Sequence, residues 1–475
     1  MNIFAPLDAN VNPEPTFWQS VPSVFDTNKA VVKHFGVLQV AEGELDIEVS
    51  QFALVGCKLF KFKGSWEAPS SISVVDLRWK VAEPFFEETD EGPIYGFSLR
   101  SSDFVVEFYA QDTESLDGWL CFMSCICILT GFEDDFQIVG VAGEGSTCVV
   151  QTAVSVDDQE TYAIKRIPKS LLIDSPAVFK SMANEIEVLR TIKHPNVVKM
   201  YRVYDMETDI CMVMEYLPHG DLATRLRLRK KFNEHDACKF VWTLLDTVDH
   251  LHDNDILHRD LKLENILMVK PDDDIEFRLA DFGLSIYDTS EALKLRSGSP
   301  GYIAPEILEN RPYGKLVDVF SSGIILYSLI TGKLPFIGPD ARAIIDLNRR
   351  CDIDYNVPEL RKCSLECLAV LRSLTNRRPE ERPSAAIAKQ AHWFSQDSAC
   401  QVLARSRIRP SKSQTLPSAA GLYNRRPMTF HEESKAIEFK SINSVPRVCY
   451  LARLRTAHPD VYARKATTFN FDQAR

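Results

Sequence analysis

The stretch that most constrains the chain is Ile256-Leu257-His258-Arg259-Asp260-Leu261-Lys262-Leu263-Glu264-Asn265-Ile266-Leu267, a polar loop between two apolar anchors. Apolar ends pinned in a core hold the charged side chains between them at fixed spacing in a cleft. Asp260 is placed to orient and deprotonate a hydroxyl, Lys262 to neutralise a transferring phosphoryl group, and Asn265 to ligate a divalent metal. The polar middle is the candidate active site.

Asp281-Phe282-Gly283 and Ala304-Pro305-Glu306 follow in order. Together with the loop, these motifs resemble the protein kinase family. The resemblance implies an α+β, bilobal fold over 136–394, with a β-rich small lobe and a helical large lobe, using ATP with Mg²⁺ or Mn²⁺. Gly143-Glu144-Gly145-Ser146-Thr147-Cys148-Val149-Val150 resembles the Gly-rich phosphate loop, with Cys148 in the third glycine's place. Gly143, Gly145, Val150 and Ala163 are thereby implied nucleotide contacts. Lys165 ends an alternating strand where the family's lysine meets the α- and β-phosphates. Ile186, Leu189 and Ile192 mark one face of the next helix and leave Glu185, rather than Glu187, as the partner of Lys165. Met214 backs the adenine pocket, Glu215 and Leu217 offer backbone hydrogen bonds to the base, and Asp221 meets the ribose or a basic substrate residue.

In the same resemblance Asp260 accepts the substrate proton, Lys262 contacts phosphate, and Asn265 and Asp281 ligate the metal. Lys262 at this spacing is the serine/threonine pattern. Ser297-Gly298-Ser299-Pro300-Gly301-Tyr302 resembles the calcium/calmodulin-dependent group. Leu295 stands at the usual activating phosphothreonine position, so Arg259 would receive a phosphate from Thr289, Ser290 or Ser297, or the segment works unmodified. Asp318 is expected to brace the loop from below, and Arg382 to pair with Glu306. His258, Phe282, Leu189 and Met200 fall on the apolar column that links the lobes. The rival reading is a pseudokinase scaffold that only binds; retention of Lys165, Glu185, Asp260, Asn265 and Asp281 argues for the enzyme.

At 475 residues the chain has room for more than one domain. Residues 1–30 carry Pro and Asn without periodicity and read as a flexible leader. Over 31–132, short alternating runs such as Gly36–Val40, Phe52–Val55, Lys58–Lys63, Gly96–Leu99 and Phe104–Tyr109 predict an antiparallel sheet. An acidic N-cap signal at Asp112 then opens a helix through the apolar run Trp119–Leu129. This arrangement resembles a pleckstrin-homology domain, a β-sandwich or barrel closed by a C-terminal helix. Where phosphoinositide-binding members place Lys and Arg, this chain has Glu42, Glu44, Asp46 and Glu48, which favours a protein partner or an autoregulatory role.

The net charge of −11 divides unevenly: residues 395–475 carry +8 and the rest −19. This basic, Ser- and Pro-containing tail reads as a largely flexible regulatory segment. Arg426 and Arg464 each precede a threonine, Thr429 and Thr467, by three residues, and an acidic groove lined by Asp221 and Glu264 would take such sites. The expected substrates therefore carry basic residues before Ser or Thr. A calmodulin-binding helix at 403–408 is cut short by Pro410. Nothing calls for nucleic acid. The 12 cysteines lack paired zinc-site spacing and read as free thiols. The start lacks a signal-peptide pattern and the run Trp119–Leu129 is too short to span a bilayer, so the expected location is cytoplasmic, or peripheral at a membrane.

Overall fold

Alternation of apolar and polar residues in the first third of the chain builds strands that bury one face, and the computed structural model shows how far that sheet extends. It describes residues 3–395 apart from 15, 22–24, 43–46, 91, 102–103, 146 and 289–296. Thr289, Ser290, Leu295 and the basic tail from residue 396 on, with its calmodulin and Arg-x-x-Thr segments, lie outside the described residues. Two units are present among the described residues: the chain up to Ser170 with Tyr201–Val213, and Leu171–Met200 with the chain from Met214 to Ser395. Among the described residues no helix is long and apolar enough to cross a membrane.

The first unit carries one sheet. Its strands are β1 (Gln19–Ser20), β2 (Val32–Ala41), β3 (Ile47–Val55), β4 (Lys58–Gly64), β5 (Pro69–Asp76), β6 (Val81–Thr89), β7 (Gly92–Arg100), β8 (Val105–Ala110), β9 (Ile128–Leu129), β10 (Phe136–Glu144), β11 (Val149–Ser155), β12 (Thr161–Pro168), β13 (Met200–Asp205) and β14 (Asp209–Glu215). The order is β1-β5-β4-β3-β2-β8-β7-β6-β9-β13-β14-β12-β11-β10. Strands β2 to β5 and β6 to β8 are two antiparallel meanders joined where β2 pairs with β8. Gly96 permits close strand packing, since a Cβ there would lie 2.4 Å from the Phe108 carbonyl oxygen.

The segment read as a flexible leader is folded onto this sheet. Helix α1 (Ala5–Val11) follows the buried Phe4. Asp8 in α1 pairs with Lys80 at 2.7 Å, with both side chains buried. Asn12 donates to Asp8 and to the Asp76 carbonyl, and accepts from the Asp76 N–H at 2.9 Å. Periodicity could not reveal this, because two turns anchored by one aromatic ring and a few polar contacts are too short to show any.

A second correction concerns the apolar run after Trp119. Helix α2 (Thr113–Met123) starts as expected, its N-cap Asp112 accepting from the Ser115 N–H at 2.8 Å, but it ends at Met123. Ile128 and Leu129 form β9 instead, pairing in parallel with Val81 and Ala82 of β6 on one side and with Val203 and Tyr204 of β13 on the other. The short helix α3 (Phe132–Asp135) leads into β10. Asp135 accepts from Arg202 at 3.0 Å and from the Tyr204 hydroxyl, and the Phe132 and Phe136 rings pack on Tyr204. One apolar core runs from Leu38, Phe52 and Trp119 through Leu129 and Phe136 to Ile164 and Val213.

Helix α4 (Lys169–Asp174) leads out of β12. The second unit is helical: α5 (Pro176–Thr191), α6 (Leu222–Arg229), α7 (Glu234–Asp253), α8 (Pro305–Leu308), α9 (Leu316–Thr331), α10 (Ala341–Arg350), α11 (Leu365–Leu374), α12 (Ala385–Ala388) and α13 (His392–Ser395). Every residue of α9 from Val317 to Thr331 is buried, and Gly332 ends the helix in the left-handed region at φ 75°. Glu306 of α8 and Arg382 form the expected buried pair, bidentate at 2.7 and 2.8 Å. Fully desolvated, this fork–fork contact fixes α8, and with it the segment leading in from Ser297, against the end of the unit.

Candidate active site

The apolar ends of the loop are tied down by two short ladders. Strand β15 (Ile256–Leu257) pairs with β18 (Ile286–Tyr287), and β16 (Ile266–Met268) pairs with β17 (Phe277–Leu279). Between them the backbone is held from beneath by Asp318 of α9. Its Oδ2 accepts from the His258 N–H at 2.9 Å and its Oδ1 from the Arg259 N–H at 2.8 Å, while His252 Nε2 lies 3.0 Å from Oδ2. Burial pushes the Asp318 carboxyl up, but the His252 contact and the loop N–H groups outweigh it and hold the group below the usual carboxylate range.

Arg259 adopts φ 66° and Asp281 φ 61°, a left-handed backbone that costs free energy in a non-glycine residue. At Arg259 the surroundings over-determine it. The N–H is taken by Asp318, and the guanidinium donates to the Leu284 carbonyl at 2.7 Å and the Tyr313 hydroxyl at 2.9 Å. His258 is fully buried, and burial lowers its pKa, keeping the ring neutral. Its Nδ1 accepts from the Asp260 N–H at 3.3 Å, which assigns the proton to Nε2, 3.3 Å from the Ala280 carbonyl. The Phe282 ring packs on it at 4.8 Å.

Asp260 thereby projects a carboxylate whose two oxygens have different partners. Oδ2 accepts from Lys262 Nζ at 2.6 Å and Asn265 Nδ2 at 3.1 Å. Oδ1 accepts from the Ser299 hydroxyl at 2.7 Å, and Lys262 also reaches Ser299 Oγ at 3.0 Å. Burial raises the Asp260 carboxyl, but the hydrogen bond and charge of Lys262, with the Ser299 hydrogen bond, more than offset it and hold the group low. Asn265 Nδ2 also donates to the Asp260 carbonyl at 2.9 Å, which turns the Asn265 amide oxygen away from Asp260. That oxygen and the Asp281 carboxylate are hard donors of the kind a divalent cation takes, so the residues present fit the metal that the loop chemistry calls for.

Ser299 is the residue that sequence reasoning missed: the hydroxyl in Gly298-Ser299-Pro300 served there only as a group signature. A hydroxyl just ahead of the Pro-Gly-Tyr turn was the available signal.

Other expected site residues fall as follows. Glu185 of α5 is buried at 2% exposure, and Glu187 is partly exposed. Gly143, Val150, Ala163 and Lys165 lie on β10 to β12 of the first unit, where Val150 is in register with both Gly143 and Lys165. The Gly145 N–H donates to the Cys148 carbonyl at 2.9 Å and closes the turn. The Glu215 N–H donates to the Lys199 carbonyl at 2.9 Å, and its carboxylate accepts from Arg278 at 3.3 Å. Asp221 caps α6, accepting from the Thr224 N–H at 2.6 Å.

A family profile described as protein kinase domain matches residues 136–394, over half of the chain. Similar proteins include a probable serine/threonine-protein kinase 2 of Plasmodium falciparum, 30% identical over 64% of this chain and 59% of that protein. A calcium/calmodulin-dependent protein kinase type 1B of Rattus norvegicus is 35% identical over 56% of this chain and 76% of that kinase. The type 1 enzyme of Caenorhabditis elegans is 34% identical over 56% and 76%. The matched span is thus under two thirds of the Plasmodium protein and about three quarters of the other two. Family members use ATP and a divalent metal and act on protein substrates. The chain belongs to the protein kinase family, with a serine/threonine kinase domain of the calcium/calmodulin-dependent group.

Proposed function

We propose that the protein transfers the γ-phosphoryl group of ATP to Ser or Thr hydroxyls of protein substrates with basic residues before the acceptor. The observation that carries this reading is the Asp260 carboxylate, ionised and oriented by Lys262 and Asn265, with an alcohol already donating to Oδ1 at 2.7 Å. A substrate hydroxyl takes a place equivalent to that of Ser299 Oγ. It donates to Asp260, which aligns its oxygen for in-line attack and receives its proton. Lys262 stabilises the charge on the transferring group, and Ser299 keeps Lys262 within reach. Asn265 and Asp281 hold Mg²⁺, which supplies neutralising charge at the phosphates when bound. Lys165 grips the α- and β-phosphates, and Glu185 is the acid that the family pairs with that lysine. Gly143, Gly145 and Val150 cover the nucleotide and Ala163 lines its base. Since the Glu215 N–H is committed to Lys199, Glu215 meets adenine through its carbonyl, and Leu217 through its N–H.

For the N-terminal region, the two meanders closed by α2 support the pleckstrin-homology-like reading. Its cationic side chains near the β2–β3 connection are spent internally. Lys61 lies 2.8 Å from Glu42 and 3.1 Å from Glu48, and Lys63 lies 2.6 Å from Glu48. Ammonium groups already paired with carboxylates give an anionic headgroup little to grip, which favours a protein partner.

Three outcomes are expected. With radiolabelled ATP and a peptide carrying Arg three residues before Ser, the wild type incorporates label and Asp260→Asn loses roughly 10²- to 10⁴-fold in kcat; an inactive wild type, or an unchanged variant, rejects the reading. The second concerns pH. Because Asp260 is held below the ordinary carboxylate value of about 3.9, its ionised form is favoured by the fold. That contribution is present above this value and is lost as pH falls through the lower folded one. The wild-type rate therefore shows no acidic limb from Asp260 between about pH 5 and 8. Lys262→Ala removes the main lowering partner while burial remains, so its acidic limb moves up in pH; a limb that stays or moves down contradicts the assignment. Third, the full chain does not float with phosphoinositide-containing vesicles, and strong headgroup-dependent flotation would reverse the reading of the N-terminal region.

A further inference from the structure

Away from the catalytic loop, the second unit gathers sulfur and carboxylate ligands that phosphoryl transfer does not use. Glu234 is the first residue of α7, and Cys363 and Cys367 bracket the start of α11, four residues apart. One carboxylate oxygen and the two Sγ atoms all lie within 4.8 Å of one another. Thiolates 2.3 Å from a common tetrahedral centre lie about 3.8 Å apart, and a thiolate and a carboxylate oxygen about 3.5 Å apart. Small side-chain rotations are therefore enough to close the trio on one ion.

The carboxylate is positioned before any ion arrives. Oε1 accepts from Trp393 Nε1 at 2.9 Å, Oε2 accepts from the Ser364 N–H at 2.9 Å, and the Ser364 hydroxyl donates to Oε1 as well. Such outer contacts orient a ligand, and because Oε1 takes two of them and Oε2 one, a lone pair of Oε2 is left for a metal. Cys367 is fully buried, while Cys363 and Glu234 are partly exposed, so the trio has a dry base and an open mouth.

We propose that Glu234, Cys363 and Cys367 form a binding site for a zinc ion. Two soft sulfur ligands with one carboxylate select Zn²⁺ over Mg²⁺ or Ca²⁺, which take all-oxygen shells. Binding breaks two S–H bonds, releases two protons to solvent and forms two Zn–S bonds and one Zn–O bond. Water takes the fourth position. Cys238, one turn along α7 from Glu234, donates its thiol to the Trp393 carbonyl at 3.7 Å and borders the site without belonging to the trio. The ion ties the start of α7 to the start of α11, and Trp393 extends the tie to α13. The sequence hid it because the C-x3-C pair Cys363 and Cys367 has no second ligand pair following it in the chain, and its third ligand lies far away at the start of α7.

The test uses the full chain, reduced, loaded with Zn²⁺ and dialysed against a moderate chelator, with metal counted by mass spectrometry. The wild type retains one equivalent more than Cys363→Ser/Cys367→Ser, and Cys363→Ser alone, at a partly exposed position, loses the same equivalent. Co²⁺ in the wild type gives a sulfur-to-cobalt charge-transfer band and tetrahedral visible bands, a readout independent of how the variants fold. Equal zinc in wild type and variants, absence of the cobalt–sulfur band, or a Cys363–Cys367 disulfide in freshly isolated protein would each overturn the site.

Discussion

The structure of the catalytic loop depends on one buried carboxylate. Placing Asp318 inside the protein without partners would cost several kcal/mol, and here that cost is offset by two loop N–H groups and an imidazole. The arrangement works in both directions. Asp318 is satisfied only if the backbone at His258 and Arg259 takes its observed path, and that path includes the left-handed Arg259. Because α9 is buried along nearly its whole length, the loop is referenced to the least deformable helix of its unit. Asp260, Lys262 and Asn265 inherit their positions from this contact, and Ser299 completes the set from the chain leading to α8.

The N-terminal strands are likewise more than an appendage. Two residues, Ile128 and Leu129, insert between β6 and β13 and pair with both. The outer edge of β13 would otherwise present unpaired backbone groups to solvent. Tyr204, Phe132 and Phe136 fill the space beside this junction, and Asp135 ties Arg202 and Tyr204 to the connecting turn. The kinase-family strands and the N-terminal meanders therefore share one apolar core. The N-terminal strands thus belong to the same sheet as the strand that carries Lys165.

Much of the catalytic loop was legible because its chemistry is local. The His258-to-Asn265 spacing, the motif at Asp281 and the Glu306–Arg382 pairing each follow from short motifs that phosphoryl transfer or a buried ion pair requires. Contacts between distant segments without such motifs were not legible. Ser299 reaches Asp260 only once the chain folds back, the packing of Phe4, Asp8 and Asn12 depends on a sheet formed much later in the chain, and the turn after Met123 that frees Ile128 and Leu129 is set by two waiting strand edges rather than by helix propensity. Apolar runs fit a helix or a buried strand equally well, and here tertiary pairing decided between them.

The central claim is that Asp318 sets the catalytic geometry by holding the loop backbone, and Asp318→Asn tests it most directly. The variant keeps a side chain of the same size but replaces one anionic acceptor with an amide donor, so one loop N–H loses its partner. With melting temperature and nucleotide binding measured beside turnover, the account predicts a variant that folds and binds ATP yet loses kcat by on the order of tenfold or more. Wild-type kcat in a folded Asp318→Asn protein would contradict it.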